Sequence, residues 1–207
     1  MFTGIVKDIG IVEHIESKSG LLEFTVSANL KELDIGKSIS VDGCCLTITQ
    51  IRADCSDRLL FSVQVTEETI KRANLFKLKA GSKVNLEPSL KLGDSVDGHL
   101  VTGHVDAVGE INNLLKKEEN TDIEILFPKE LKKFMSSKGS IAVNGVSLTV
   151  IDIKNNTFNF TLIPYTRDNT NLGLLRIGDL VNLEVDVAAR YFVNYMEGIK
   201  QSIENKI

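Results

Sequence analysis

An excess of basic charge, a long apolar run and a paired set of cysteines are all missing from this chain, and each absence closes a class of function. Lys and Arg number 24 against 28 Asp and Glu, giving a formal net charge of -4 and a pI near 5.5. That balance argues against a nucleic-acid partner, which calls for a basic face. No apolar stretch approaches the roughly 20 residues of a membrane span, and the N-terminal residues lack a signal-peptide pattern, so no membrane association and a cytoplasmic location are expected. Of the three cysteines, Cys44 and Cys45 are adjacent, a poor geometry for a mutual bridge, and Cys55 stands alone. An odd count without a framework suits a reducing compartment. His99 and His104 are five apart, not the i, i+4 pair of a helical zinc site, and with His14 they complete no ligand set, so no metal is expected. Gly-x-Gly-x-x-Gly, Walker and Gly-x-Ser-x-Gly strings are absent too, which leaves nucleotide cradles and hydrolase triads without support.

What is present is a duplication. Phe2-Thr3-Gly4-Ile5-Val6 with Gly10 aligns with Val101-Thr102-Gly103-His104-Val105 with Gly109. Ser38 through Thr47 aligns with Ser140 through Thr149, Phe61 through Leu75 with Phe158 through Leu172, and Gly81 through Glu87 with Gly178 through Glu184. Four matched blocks in one order are hard to obtain from chance similarity of β-rich segments. Within each half, short runs of Val, Ile, Thr and Phe alternate with turn residues at roughly 8–12-residue spacing, the pattern of a sandwich or barrel. Asp42-Gly43 and Asn144-Gly145 are tight hairpin signals, because Asx-Gly tolerates positive φ at both central positions. Closing each half into a barrel would remove exposed sheet edges. The expected organisation is all-β: two tandem six-stranded Greek-key β-barrels over residues 1–96 and 97–187, joined near Glu87 to Gly98, plus a C-terminal α-helix over 188–207. That tail places Ala188, Phe192, Tyr195, Met196, Ile199 and Ile203 at three- and four-residue spacing, one apolar stripe that either packs on its own barrel or meets copies of itself.

The period of two along a strand sorts the paired turns into faces. Cys44, Leu46 and Ile48 read as core, with Cys45, Thr47 and Thr49 facing out; Val146, Leu148 and Val150 repeat the inner set, with Ser147 and Thr149 outside. Each half therefore presents a small polar group at one position, a thiol in the first and a hydroxyl in the second, followed two residues on by a threonine. Such groups are ordinary on a β surface, and the duplication is what favours a pair of related ligand sites. The halves also differ in ionisable groups: His104 stands where Ile5 does, and Lys138 where Gly36 does. Like sites with unlike ionisable residues suit one molecule bound twice and treated differently.

Taken together, Met1 through Val6, Gly43-Cys44-Cys45-Leu46-Thr47, Gly98 through Asp106 and Gly145-Val146-Ser147-Leu148-Thr149 resemble the riboflavin synthase family, over both repeats and the helical tail. The resemblance implies a transferase that takes two molecules of 6,7-dimethyl-8-ribityllumazine and yields riboflavin and 5-amino-6-(D-ribitylamino)uracil, with no cofactor and no metal. It implies a homotrimer held by C-terminal helices, sites lying between barrels of neighbouring subunits, and association with lumazine synthase. Carried over by residue, a first site would use Gly4, Ile5 and Val6, the strand Cys45-Leu46-Thr47, and Gln64, Val65, Thr66, Glu67, Glu68 and Thr69. A second would use Gly103, His104 and Val105, Lys138, Ser147-Leu148-Thr149, and Thr161, Leu162, Ile163, Pro164, Tyr165 and Thr166. Backbone amides there would pair with the pyrimidinedione edge, and Asp186 would hold a ribityl chain or a proton. His104, Cys45 and Ser147 are the candidate catalytic groups: His104 to assist removal of the acidic methyl proton, Cys45 and Ser147 nearest the reacting carbons. Tyr165 follows Pro164 where the family often carries Glu or His, and Glu67-Glu68 stands where Pro-Glu or Lys-Glu is commoner, so the chain departs from the family's pattern at these contacts. The rival is a non-catalytic lumazine- or flavin-binding antenna protein, which shares the fold and loses polar residues from the second site.

Overall fold

The structure, a computed structural model, describes residues 1–18, 21–53 and 58–205; Cys55 lies outside them. The first half contains β1 (Asp8–Lys18), β2 (Leu21–Ala28), β3 (Ser38–Val41), β4 (Cys44–Ala53), β5 (Leu59–Val65), the short helix α1 (Glu67–Arg72) and β6 (Lys83–Pro88). These six strands close into a barrel in the order β1-β2-β5-β4-β3-β6, every pairing antiparallel. The second half repeats the plan with β7 (Ala107–Lys116), β8 (Thr121–Leu126), β9 (Ser140–Val143), β10 (Val146–Thr149), β11 (Asp152–Lys154), β12 (Thr157–Leu162), α2 (Pro164–Asn169) and β13 (Leu180–Val185).

Its sheet has seven strands, in the order β10-β9-β13-β7-β8-β12-β11, because the counterpart of β4 is broken in two. In β4 the pairing with β5 slips between Ile48 and Gln50, a bulge that the chain absorbs within one strand. At the matching place in the second half the ladder parts: Val150 donates to Gly139 and Ile151 to Asn159, on opposite neighbours. The chain itself thus joins the two ends of the sheet.

Alternation fills each barrel from one face of each strand. Cys44, Leu46 and Ile48 lie in the first core with Phe24, Phe61 and Leu86; Val146 and Val150 lie in the second with Phe158, Phe160 and Leu183, while Leu148 is only partly buried against it. Both hairpins take the left-handed conformation at both central residues, with φ of 47° and 81° at Asp42-Gly43 and 45° and 76° at Asn144-Gly145. The two turns also touch: a Cβ on Gly43 would stand 2.8 Å from the Gly145 nitrogen, so glycine is required there for space as well as for conformation.

The last helix, α3 (Val187–Glu204), starts on Asp186, whose side chain accepts from the Ala188 amide at 2.9 Å. Arg190 fixes the first turn to the second barrel through both guanidinium nitrogens on Asp106, at 2.8 and 2.9 Å. Farther along, Tyr191, Phe192, Tyr195, Met196, Ile199 and Ile203 all remain exposed. Among the described residues no helix is long and apolar enough to cross a membrane.

Candidate active sites

The two halves meet through reciprocal contacts, as an approximate twofold relation would give. Phe2 and Val101 form an antiparallel bridge, and with Ala142 and the half-buried Cys45 they make a small core between the barrels. The Cys45 amide donates to the Gly103 carbonyl at 2.8 Å; the Ser147 amide donates to the Gly4 carbonyl at the same distance. Both glycines have positive φ, 82° at Gly103 and 76° at Gly4. A Cβ on Gly103 would lie 2.5 Å from the Cys45 Cβ, and one on Gly4 2.6 Å from the Ser147 Cβ. Val105 packs on the first core and Val6 on the second.

The grouping is therefore crossed relative to the sequence-based expectation. Gly103-His104-Val105 lies against the Cys45 strand, and Gly4-Ile5-Val6 against the Ser147 strand. Each Thr-Gly-x-Val block thus packs on the paired strand of the opposite half, through one backbone hydrogen bond and a glycine with no room for a side chain.

A buried carboxylate holds each block. Glu87, at the end of β6, accepts from the Thr3 amide and hydroxyl on Oε1, at 2.7 and 2.8 Å, and from the Gly4 amide on Oε2 at 3.0 Å. Glu184, at the end of β13, accepts the equivalent three from Thr102 and Gly103 at 2.7, 2.6 and 2.9 Å. Burial raises the Glu87 carboxyl above its usual range even though all three donors favour the charged form.

Around Cys45 lies a cleft of about 280 Å³ lined by Cys44, Glu68, Thr69, Arg72, Ala73, Gly103, His104 and Val105. The structure thus brings together Cys45, His104, Glu68 and Thr69 from three separate stretches. Arg72, which the sequence does not single out, joins them through a 2.6 Å bond to Glu68 that holds the Glu68 carboxyl below its usual range. Thr66 caps α1, accepting from the Thr69 amide, and Thr47 pairs with Gln64 on the neighbouring strand. Leu46, Val65 and Leu162 turn their side chains into the cores, so they can offer a ligand only backbone atoms.

On the Ser147 side the group that meets the hydroxyl is His99, which the sequence does not single out. His99 Nδ1 lies 2.7 Å from the Ser147 hydroxyl, and the His99 amide donates to the Thr3 carbonyl at 3.1 Å. Gly98 must lack a side chain for this to form, since a Cβ would stand 2.2 Å from the Thr3 carbonyl oxygen. Nε2 of His99 is buried without a partner among the described residues, so a second ring proton would have no acceptor. Burial accordingly lowers the His99 pKa, opposed by the nearby charges of Asp186 and Glu184. Burial thus favours the neutral form of the ring that meets the serine hydroxyl. Thr149 is exposed at the end of β10, and Thr161 is tied to Asp122 at 2.6 Å. The Lys138 amide donates to the Val150 carbonyl, directly after this strand, and Ile163, Pro164 and Tyr165 lie exposed at the start of α2, with Thr166 half-buried. Among the described residues no group of three His, Cys, Asp or Glu side chains could hold a metal ion.

The lumazine binding domain matches this chain twice, over residues 3–89 and 102–186. A riboflavin synthase of Mycobacterium tuberculosis is 40% identical over 201 residues, covering 95% of this chain and 98% of the relative. That of Actinobacillus pleuropneumoniae is 35% identical over 198 residues, 95% of this chain and 90% of its own. Among solved structures, LumP in complex with riboflavin superposes with a TM-score of 0.79 at 26% identity, covering 89% of this chain and 99% of that one. LumP with 6,7-dimethyl-8-(1'-D-ribityl) lumazine gives 0.78. Two domain matches in tandem, with relatives alike along nearly their whole length, place the chain in the lumazine-binding family of the riboflavin synthases.

Proposed function

We propose that the protein is a riboflavin synthase, dismutating two 6,7-dimethyl-8-ribityllumazine molecules by four-carbon transfer to riboflavin and 5-amino-6-(D-ribitylamino)uracil. The observation that carries this reading is the pair of like cradles with unlike chemistry: Cys45 with His104 in one, Ser147 with His99 in the other. A reaction that joins two copies of one substrate gains most from holding both in register, a contribution of about 7–11 kcal/mol in well-oriented systems. The heterocycle delocalises the anion formed at its 7-methyl group, so the protein supplies only modest proton transfer.

The neutral His99 can accept the Ser147 hydroxyl proton when that oxygen adds to a ring carbon, and return it when the adduct collapses. His104, exposed at the rim of the other cleft, assists transfer of the methyl proton. Cys45 offers the softer nucleophile to the same ring. Lys138 and Asp186 flank the Ser147 cradle, where they can meet the carbonyl edge and the ribityl hydroxyls. The ligand's flat edge pairs with strand amides, which explains why core-facing residues such as Leu46 belong to a binding stretch. Subunits associate as a homotrimer through the exposed stripe of α3, in the cytoplasm.

A binding protein without turnover is the alternative reading. Against it stand His104, Lys138, Ser147 and Thr149, all retained in this chain, and the enzyme's name on relatives that match nearly end to end. The test is direct. Purified protein mixed with the lumazine should produce riboflavin, followed by its absorbance. His104→Ala, Cys45→Ser and Ser147→Ala should each slow it, and wild-type rates in all three would refute this assignment of roles.

A further inference from the structure

We infer that Glu87 and Glu184 are positioning residues, each setting the geometry of one cradle and not the other. The inference rests on the reading that every chain carries two ligand cradles. Glu184 receives all three donors of Thr102 and Gly103, and the Gly103 carbonyl in turn receives the Cys45 amide. The Thr102 hydroxyl also accepts from the His104 amide at 3.3 Å. One carboxylate thus fixes the turn that carries His104 and its register on the Cys45 strand. Glu87 does the same for Thr3 and Gly4, whose carbonyls receive the His99 and Ser147 amides. The Glu87 clamp therefore governs the His99–Ser147 pair.

Neither carboxylate lines the cleft around Cys45. Both are almost wholly buried, and each is engaged by three donors from the block that it holds. A glutamine in either place keeps the volume and one acceptor oxygen but turns an NH₂ group toward the glycine amide, donor against donor. The turn must shift, and the glycine beneath it has no room to shift without moving Cys45 or Ser147.

The two clamps are separable by experiment. Riboflavin binding to the full-length protein is followed by fluorescence, and alkylation of Cys45 by iodoacetamide, located by peptide mass spectrometry, reports which cradle is filled. In the wild-type protein riboflavin occupies two sites per chain and shields Cys45. Glu184→Gln should weaken the Cys45 cradle about ten- to a hundredfold and abolish the shielding, leaving the second site at wild-type affinity. Glu87→Gln should weaken the other site by a similar factor and leave Cys45 shielded. Should Glu184→Gln fail to fold, Thr102→Val removes only the hydroxyl bonds and should show the same selective loss on a smaller scale. Equal weakening of both sites by either variant, or of neither, overturns the positioning role. A wild-type stoichiometry of one site per chain overturns instead the two-cradle reading beneath it.

Discussion

The His99–Ser147 pair and Lys138 show how single residues break the symmetry of the duplication. Among the described residues His99 is the one buried histidine, His14 and His104 being exposed, and it lies on the Ser147 side. Because burial lowers its pKa from 6.5, the ring stays neutral at pH 7 and gains its proton only in more acidic solution. Turnover should therefore hold as pH falls past 6.5 and decline below it, in the lowered range. His99→Gln can still hydrogen-bond the Ser147 hydroxyl but cannot take its proton. A kcat loss of about 10²–10⁴-fold with KM little changed, and disappearance of the acid limb of the kcat profile, are expected. Lys138 sits at φ 65°, where its counterpart Gly36 has φ 83°, and both amides make the same bond, to Val150 and Ile48 at 2.7 and 2.8 Å. A left-handed lysine costs about 1–2 kcal/mol relative to glycine in that conformation, offset in part by the greater freedom of an unfolded glycine. Such strain is kept where a residue serves function, the role proposed above for Lys138. Lys138→Gly should leave the urea midpoint unchanged or higher while KM for the lumazine rises; a lower midpoint with wild-type KM would show that the lysine serves the fold instead.

Elements were more legible in the sequence than the way they touch. The Asx-Gly hairpins, the inward set of β4 and the amphipathic tail follow from local rules, with periods of 2 and 3.6 and the left-handed tolerance of Asx-Gly. The break between β10 and β11 is not written that way, since a bulge and a break both cost a strand one pairing. Nor is the crossed arrangement of the cradles: Gly4 meets Ser147 and Gly103 meets Cys45 through backbone bonds, which leave no residue pattern behind. His99 escaped for a related reason, its partner being 48 residues away. The helix α3 shows what an element can leave unfinished. Its attachment to the barrel is polar, through Arg190 on Asp106 and Lys133 on Glu197 at 2.7 Å, while Phe192, Ile199 and Ile203 face solvent. An exposed apolar stripe of that length marks an association surface. Phe192→Glu with Ile199→Glu should convert the proposed homotrimer to monomers in light scattering after size exclusion, with the far-ultraviolet spectrum of the barrels retained. An unchanged trimer mass would place the contact elsewhere.

At the scale of the whole molecule the halves are locked by a buried amide network, and the lock is imperfect at one residue. Asn171 donates its backbone amide to Asn85 Oδ1, and Asn74 donates to Asn182 Oδ1, each at 2.7 Å. Asn85 and Asn182 send their side-chain NH₂ groups to the carbonyls of Asn144 and Asp42, at 2.9 and 2.7 Å. The symmetry fails where Asp42 takes the place of Asn144. Asn144 donates its amide to Asn171 Oδ1 at 3.3 Å, whereas the corresponding oxygen of Asn74 is buried with no partner among the described residues. An ionised Asp42 has nothing to donate to it. Desolvation raises the Asp42 pKa from 3.8 to about 7, with the Asn85 amide and the Asn171 side chain opposing the rise. The sign follows from proton counting. Between about 3.8 and 7 the folded protein keeps a proton that the unfolded chain releases, so stability declines as pH rises through that window and is lowest above it. Asp42→Asn keeps the acceptor for Asn85 and Asn171, restores a donor toward Asn74 and removes the titration. Its melting temperature should match wild type near pH 5 and exceed it at pH 8 by roughly 2–12 °C, from about 1–3 kcal/mol of relieved burial at about 2–4 °C per kcal/mol for a chain of this size. Calorimetry at the two pH values decides it: the wild-type decline between them should shrink clearly in the variant, the raised Glu87 carboxyl keeping its own smaller share, and parallel declines would rule out Asp42 as the titrating group.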